Sequence, residues 1–360
     1  MDRRTVEIYE AQAGEYEARR PARHAGRATA FAASVLPGLP SADLGCGPGV
    51  YLPVLSAGGQ TVVGIDAALA MVDRARRRVP STAVVQGDLE ALPFRDRSLG
   101  GAWARNTYVH VPKARLPMAL AHLHRAMAVG APLEITALVG DDEGPLSDDE
   151  FPGRFFARWS PERFAEVVAG AGFTIERVEV ANDATWVRAA RGRTLPDFVG
   201  PDMRLLVCGL NPSVVAADAG YGYAGATNRF WPAALAAGLV TRTREPFHAL
   251  TVDGVGMTDL VKRATPRADL LITSEYAAGV ERVRRLVEWL HPGVVVFVGL
   301  AGWRAAVDRR AHPGVQPDGF AGVPAYVMPS TSGLNAHVRL DDLVEHLRRA
   351  LDTAALTAGS

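Results

Sequence analysis

The sequence predicts an α/β protein of two domains, and three observations carry that expectation. At 360 residues the chain exceeds the roughly 100–200 residues of an ordinary single domain. Apolar strand-like runs alternate with helical ones, stop near residues 191–197, and begin afresh. In each half a turn able to carry chemistry directly follows an apolar strand: Asp43-Leu44-Gly45-Cys46-Gly47-Pro48-Gly49 in the first, Gly209-Leu210-Asn211-Pro212-Ser213 in the second.

The elements follow in order. Residues 5–35 read as helical, with Pro21 breaking the run. Strands are expected at 41–44, 61–66, 83–86, 99–104 and 131–138, with helices at 51–57, 68–78 and 116–127 between them. Such alternation indicates a parallel sheet covered by helices. The acidic, turn-rich segment 140–152 reads as a loop. Ser160 followed by Pro161 is an N-cap and first-turn proline, which starts a helix over 161–171. Strands at 174–180 and 185–190 close the half. Arg191-Gly192-Arg193-Thr194-Leu195-Pro196-Asp197 then breaks the pattern, so the domains are set at 1–190 and 191–360. Beyond it, strands are expected at 203–208, 294–298 and 323–328. Helices are expected near 229–237, 279–290, 301–309 and 340–351, with a frayed small-residue tail.

Composition excludes several classes. Apolar content of 48% and charged content of 22% are those of a folded globular chain. Thirty-nine basic and 39 acidic residues cancel, so any nucleic-acid contact must rest on a local basic face; Lys262, Arg263, Arg267 and Arg339 are the candidates. Two cysteines, Cys46 and Cys208, cannot build a Cys-rich metal site and read as small buried packing residues. No metal site is expected. The first 20 residues lack an apolar h-region, and no apolar run reaches 18 residues. The expectation is a cytoplasmic, DNA-associated protein with no membrane partner.

In the first half, Gly45, Gly47 and Gly49 lie between a strand and a helix, where glycines let the backbone turn tightly against a ligand. Asp66 ends the next strand, where an acidic side chain can accept from ribose hydroxyls. The dehydrogenase fingerprint G-x-G-x-x-G fails, because position 50 is Val. Asp88 and Leu89, after the third strand, offer an acceptor for an adenine amino group and a packing surface for its ring. Together with Gly64-Ile65-Asp66-Ala67-Ala68 and Gly87-Asp88-Leu89-Glu90-Ala91-Leu92-Pro93-Phe94, the glycine turn makes the stretch 41–139 resemble class I S-adenosylmethionine-dependent methyltransferases. The resemblance reaches over roughly residues 5–185. It implies a Rossmann-like seven-stranded sheet and S-adenosyl-L-methionine as cofactor, held by Asp43, Gly45, Gly47, Gly49, Asp66, Asp88 and Leu89. The methyl acceptor is unknown. Arg105-Asn106-Thr107-Tyr108 departs from the Asn/Asp-Pro-Pro-Tyr run of DNA amino methyltransferases, and no Pro-Cys exists for cytosine C5 methylation. Ser98-Leu99-Gly100-Gly101 departs from the acidic residue that many relatives place there. His110 reads as a proton acceptor or a structural histidine, and Trp103 as packing.

In the second half, Asn211 offers an acceptor oxygen and a donor amide at a strand end, and Pro212 fixes the backbone after it. By itself Asn-Pro is a turn signal. Tyr223, in a glycine-rich aromatic loop, can offer a face for a planar base. Phe230 and Trp231 read as core. Met328-Pro329-Ser330-Thr331-Ser332-Gly333-Leu334 follows a distant strand. With Asn228-Arg229-Phe230-Trp231, the block Gly256 to Pro266 and Ser274-Glu275, these pieces resemble the mismatch-specific thymine/uracil branch of the uracil-DNA glycosylase superfamily over roughly residues 193–352. The resemblance implies a three-layer α/β/α domain with a short parallel central sheet, acting without a cofactor on double-stranded DNA that holds a mismatched or damaged pyrimidine. It assigns Asn211 and Asp259 to catalysis, and Tyr223, Asn228 and Ser330 to the base. Ser332, Gly333, Leu334, Asn335 and His337 are assigned to DNA, with Leu334 as an apolar wedge in the vacated stack. Ser213 stands where the best-known members have Gly. Asp259 occupies a position that varies among relatives.

The combined expectation is a bifunctional fusion: a methyltransferase of unknown acceptor joined to a glycosylase that removes uracil or thymine from mismatches with guanine. Two alternatives stay open. One is a small-molecule methyltransferase whose second domain only binds nucleic acid; the other is a glycosylase with an inactive, cofactor-sensing methyltransferase fold.

Overall fold

Most strands of the chain are buried on both faces, as strands covered by helices must be. The computed structural model describes residues 1–335 and 337–358, and the chain divides into two compact units, Met1–Gly192 and Arg193–Ser360.

The first unit opens with α1 (Arg3–Arg19), capped by the Asp2 side chain, and α2 (Ala25–Ala32) after the break at Pro21. There follow β1 (Ser41–Leu44), α3 (Leu52–Leu55), β2 (Val62–Asp66), α4 (Leu69–Arg78), β3 (Ala83–Gln86), β4 (Gly101–Ala104), α5 (Leu116–Ala126) and β5 (Pro132–Val139). Strand β6 (Glu143–Pro145) and β7 (Phe155–Trp159) precede α6 (Pro161–Gly170), which Ser160 caps through the Arg163 amide. Strands β8 (Phe173–Ala181) and β9 (Ala184–Arg191) end the unit. The order β3-β2-β1-β4-β5-β9-β8 runs parallel through β5, and β9 returns antiparallel to it from Pro132 to Leu138.

The sheet has nine strands rather than the expected seven. The extra pair is the β6–β7 hairpin, drawn from the segment read as a loop and the residues after it. Its sequence signal is weak because Glu-Gly-Pro is a poor strand former. Tertiary pairing of Leu138 with Arg158 and Val139 with Trp159 holds it in place. Trp103 is fully buried against Phe31, Tyr51 and Trp186, as its packing role required.

The second unit contains β10 (Leu205–Gly209), α7 (Val214–Ala219), α8 (Phe230–Ala236), α9 (Pro246–Thr251), β11 (Val255–Asp259), α10 (Thr273–Leu290), β12 (Val295–Val298), α11 (Leu300–Ala306), β13 (Gly314–Phe320), β14 (Val323–Met328) and α12 (Leu340–Ala358). The sheet order is β11-β10-β12-β14-β13, with four parallel strands and β13 antiparallel at the edge. The chain leaves β10 in one direction to reach β11 and returns past it to reach β12. Right-handed crossovers therefore put α8 and α10 on opposite faces. The packing agrees: α8 lies on α12, and α10 on α11. These are the three layers.

Elements α7, α9, β11 and β13 lie outside the sequence expectation, and α12 runs on to Ala358 where a frayed tail was expected. The short helices have too few turns for a clear period. The edge of β11 is covered by Phe198, whose amide and carbonyl exchange hydrogen bonds of 2.9 and 2.8 Å with Met257.

Candidate functional site

In each unit the crevice that collects the chemistry lies at the carboxyl ends of the parallel strands. Ligands of open α/β sheets bind there, where the strand order reverses.

In the second unit, β10 and β11 pair in register, which sets Gly209 beside Asp259. A Cβ on Gly209 would fall 2.4 Å from Asp259 Oδ1 and 3.1 Å from the Tyr223 hydroxyl. The absent side chain is the space these two groups share. Two residues on, Asn211 Nδ2 reaches Arg263 O at 3.0 Å, Thr265 Oγ1 at 2.8 Å and Pro212 O at 3.1 Å. Carbonyl oxygens only accept, so the nitrogen must be the atom on that side. Thr265 gives its own proton to Arg267 O at 2.8 Å, which leaves it an acceptor toward Asn211. The amide is thereby fixed with Oδ1 as its remaining acceptor. Ser213, at the position that departs from the family turn, caps α7 through the Ala216 amide at 3.1 Å.

Burial pushes the Asp259 carboxyl up to about 6; Lys262 and Arg282 draw it down, and Asp197 opposes them. The Tyr223 ring stacks on Phe230 with centroids 4.1 Å apart and planes at 20°. Its buried hydroxyl has no hydrogen-bond partner, and burial, with Asp259 nearby, raises its pKa well above the ordinary value. Asn211, Tyr223, Asn228, Asp259, Ser330, Ser332 and Gly333 all line one cavity of about 300 Å³. Asn228 spends its Oδ1 on the Phe230 amide, 2.9 Å away, and so caps α8 while lining the cavity.

Leu334, Asn335 and His337 are not among the residues lining that cavity. Leu334 is 96% exposed, an extreme value for a large apolar side chain. The loop that carries it is held from behind by a residue the sequence reading did not single out. Arg229 donates to Ser332 O at 3.1 Å, to Asn335 O at 2.9 Å and to Val338 O, while its amide donates to Thr331 O at 3.0 Å. Asn335 ties back to Ser330 O at 3.1 Å, and His337 is exposed.

Of the four basic residues expected to offer a phosphate face, Lys262 is spent inside the domain, while Arg263 and Arg267 form exposed ion pairs and Arg267 lines the cavity. Lys262 is turned inward to Asp197 at 2.9 Å, Arg263 is paired with Glu275 at 2.6 Å, and Arg267 is paired with Asp269. Arg339 is exposed. Asp197, also missed in the sequence, is buried and receives Arg282 at 2.6 Å and Thr258 at 2.6 Å besides Lys262. Burial alone would raise its pKa; Arg282 and Lys262 outweigh that and lower it. Arg282 also donates to the Asp259 carbonyl at 2.5 Å, which links this buried cluster to the candidate site.

In the first unit, Gly45, Gly47, Asp66 and Leu89 line a cavity, with Tyr9 and Tyr16 of α1 forming part of its wall. Gly45 has φ +66°, and a Cβ there would fall 1.8 Å from Thr107 Oγ1, so both conformation and space require glycine. Asp66 accepts from Gly47 N at 2.8 Å and Ala68 N at 3.0 Å, and burial pushes its pKa up to about 6 despite these bonds.

Asp43, Gly49 and Asp88 are outside that cavity wall. Asp43 is buried in β1 with Oδ2 unpartnered; burial and then Asp66 push it up to about 8. Gly49 packs on Ala75 of α4. Asp88 is engaged by the Met1 amino group at 3.1 Å. His110 is buried, and its Nδ1–H donates to Phe155 O at 2.7 Å. That fixes Nε2 as the acceptor for the Tyr9 hydroxyl at 2.8 Å, and Tyr9 in turn accepts from Arg154 at 2.8 Å. Burial lowers His110 to about 4, so the ring is neutral.

Among the described residues, no group of three or more His, Cys, Asp or Glu could hold a metal ion, and no helix is long and apolar enough to cross a membrane. Cys46 and Cys208 are free and buried.

The protein thus has two α/β domains, each with a crevice at the carboxyl ends of its parallel strands. Residues 42–130 match the family model of a methyltransferase domain, and residues 196–354 match that of the uracil DNA glycosylase superfamily; the chain carries a domain of each kind. Among solved structures, it is similar to an S-adenosylmethionine-dependent methyltransferase from Mesorhizobium loti. The identity is 21% over 45% of this chain and 96% of that one, with TM-score 0.37. It is also similar to a SAM-dependent methyltransferase from Aquifex aeolicus, with identity 20% over 51% of this chain and 98% of that one and TM-score 0.41.

Proposed function

We propose that the chain is a bifunctional enzyme. In this reading its second domain removes uracil or thymine from mispairs with guanine, and its first transfers a methyl group from S-adenosyl-L-methionine. The fixed Asn211 amide, with its free oxygen in the same cavity as Asp259 and the stacked Tyr223, carries the glycosylase reading. A glycosidic bond inside a duplex is out of reach, so the nucleotide must be flipped at a cost of about a few kcal/mol, least for a weakly paired base. The flipped base enters the 300 Å³ cavity against Tyr223. Asn211 Oδ1 accepts from the water that attacks C1′. Asp259 as a carboxylate accepts the second proton or orients the same water. Backbone amides of the strand-end turns stabilise the departing base anion.

The ionisation of Asp259 gives the reading a sign. The carboxylate is the working form, so single-turnover release of uracil should rise as pH passes upward through about 6 and then level off. Asp259→Asn should flatten that rise. A wild-type profile without a step between pH 5 and 7 removes Asp259 from the chemistry.

Leu334 carries the duplex requirement. With Leu334→Ala, release of uracil from a G·U duplex should fall about tenfold while release from single-stranded DNA is unchanged, because only a duplex leaves a stack to fill. Equal losses on both substrates contradict the wedge.

For the first domain, the residues present fit a nucleoside cofactor. The glycine turn is open at Gly45 and Gly47, each Asp66 oxygen keeps a lone pair beyond its backbone bond, and the buried Asp43 oxygen is unpartnered. The cavity beside them is only about 40 Å³, well below the roughly 300 Å³ or more of a drug-sized site, so side chains of its wall, which includes Met1 and Met71, must shift for the cofactor to enter. When bound, the cofactor supplies an electrophilic methyl group. Asp66→Ala should weaken S-adenosylhomocysteine binding by about tenfold or more in calorimetry. Absence of binding to the wild-type protein refutes the methyltransferase reading.

A further inference from the structure

Beside the proposed cofactor crevice lies a second cavity of about 160 Å³, which shares Tyr9, Tyr16, Arg105, Asn106 and His110 with it. Its wall contains five arginines, Arg19, Arg20, Arg23, Arg105 and Arg154, and no acidic residue. Three of these cations are neutralised by carboxylates from outside the wall: Arg19 by Glu15, Arg20 by Glu150 at 2.7 Å, and Arg154 by the equally buried Asp149. Arg23 and Arg105 have no ion-pair partner among the described residues. Arg105 is half-buried, its Nε has no hydrogen-bond partner, and its guanidinium lies 5.8 Å from the Tyr51 ring. An unpaired donor on a partly desolvated cation is costly unless something outside the chain accepts from it. The surplus charge is felt by its surroundings: after burial, Arg105, Arg27 and Arg23 together lower the pKa of His24. The rest of the wall is aromatic and aliphatic, with Tyr9, Tyr16, Phe156, Val109 and Leu138.

We infer that this cavity binds the methyl acceptor, and that the acceptor is a small organic anion: a carboxylate or phosphate group on an apolar body about the size of one ring. The inference rests on the methyltransferase reading of the first domain and names the substrate class of that site. Arg105 and Arg23 take the anionic group, and the tyrosines and Phe156 take the body. A volume of about 160 Å³ suits a single ring or short chain and is too small for a folded macromolecule's side. Tyr9 is committed to His110 Nε2 and Arg154, which orients its ring as a fixed wall and leaves the two unpaired arginines as the available donors.

The test is equilibrium binding to the full chain at low salt, with benzoate, phenyl phosphate and neutral benzamide as probes, repeated with Arg23→Gln and Arg105→Gln. Benzoate or phenyl phosphate should bind about tenfold tighter than benzamide, and each substitution should weaken anion binding about tenfold with benzamide unaffected. Raising the salt should weaken the anions alone. Arg23→Gln alters an exposed residue that lines only this cavity, so it guards against a folding defect in the other variant. Equal affinity for benzoate, phenyl phosphate and benzamide, or anion affinity unmoved by both substitutions, overturns the inference. So does binding of a 5′-phosphorylated oligonucleotide in place of every small anion. S-adenosylhomocysteine is titrated in parallel. Its failure to bind while the anions discriminate sinks the methyltransferase reading and leaves the anion site. The reverse pattern sinks the anion site alone.

Discussion

Asn211→Ala is expected to lower the release of free uracil from a G·U duplex by at least about a hundredfold, the range for losing a group that positions the attacking water. Asn211 ionises at no accessible pH, so its contribution is the placement of one oxygen. The amide nitrogen is held by Arg263 O and Thr265 Oγ1, and that anchorage prevents the side chain from rotating its oxygen away. Thr265→Val should therefore act in the same direction with a smaller loss, since Arg263 O still holds the amide. Binding of the duplex should change little in Asn211→Ala, because the proposed reading gives DNA engagement to the separate loop bearing Leu334. If Asn211→Ala releases uracil at the wild-type rate, the assignment of that residue is wrong.

Asp197→Ala is expected to destabilise the second domain by about 3–5 kcal/mol, the cost of removing one partner of a buried ion pair. It leaves Lys262 and Arg282 buried and facing each other, together with the Thr258 hydroxyl, all of which now point at one carboxylate. The same substitution carries a second signature. Asp197 raises the Asp259 pKa while Lys262 and Arg282 lower it. Without Asp197 the cations act unopposed, and the rise in excision rate should move to lower pH. Chemical denaturation reads the first effect and the pH–rate profile the second. A loss under about 1 kcal/mol would mean that the cluster is solvated in solution.

Much of this was legible in the chain. The alternation of strands and helices, the Ser160 cap, the breaks at Pro21 and near residue 192, and the glycine turn are local signals, and each has a local structural consequence. Asp259 lies 36 residues beyond Tyr223 and 48 beyond Asn211, and the three come together only through the register of β10 with β11 and the return of the loop at Tyr223. Quoted motifs could locate them, but could not show that Gly209 must be glycine for Asp259 to fit, or that Asn211 is held by Thr265. Lys262 misleads because a lysine in a turn-rich polar segment reads as surface charge. Its partner, Asp197, lies 65 positions away in the segment read as an interdomain break. Arg229 reads as part of a helix start, yet its side chain binds the carbonyls of a loop about a hundred residues later. The β6–β7 hairpin escaped because its pairing is tertiary.

The central claim is base excision directed at weakly paired pyrimidines. Its most direct measurement is free-base release by the wild-type protein from matched substrates: G·U, G·T and A·U duplexes and the single strand carrying uracil. Free uracil is expected from G·U at a rate several-fold above that from A·U, with the difference tracking the cost of flipping. No free base from any of the four, at pH values above the Asp259 transition, would contradict it.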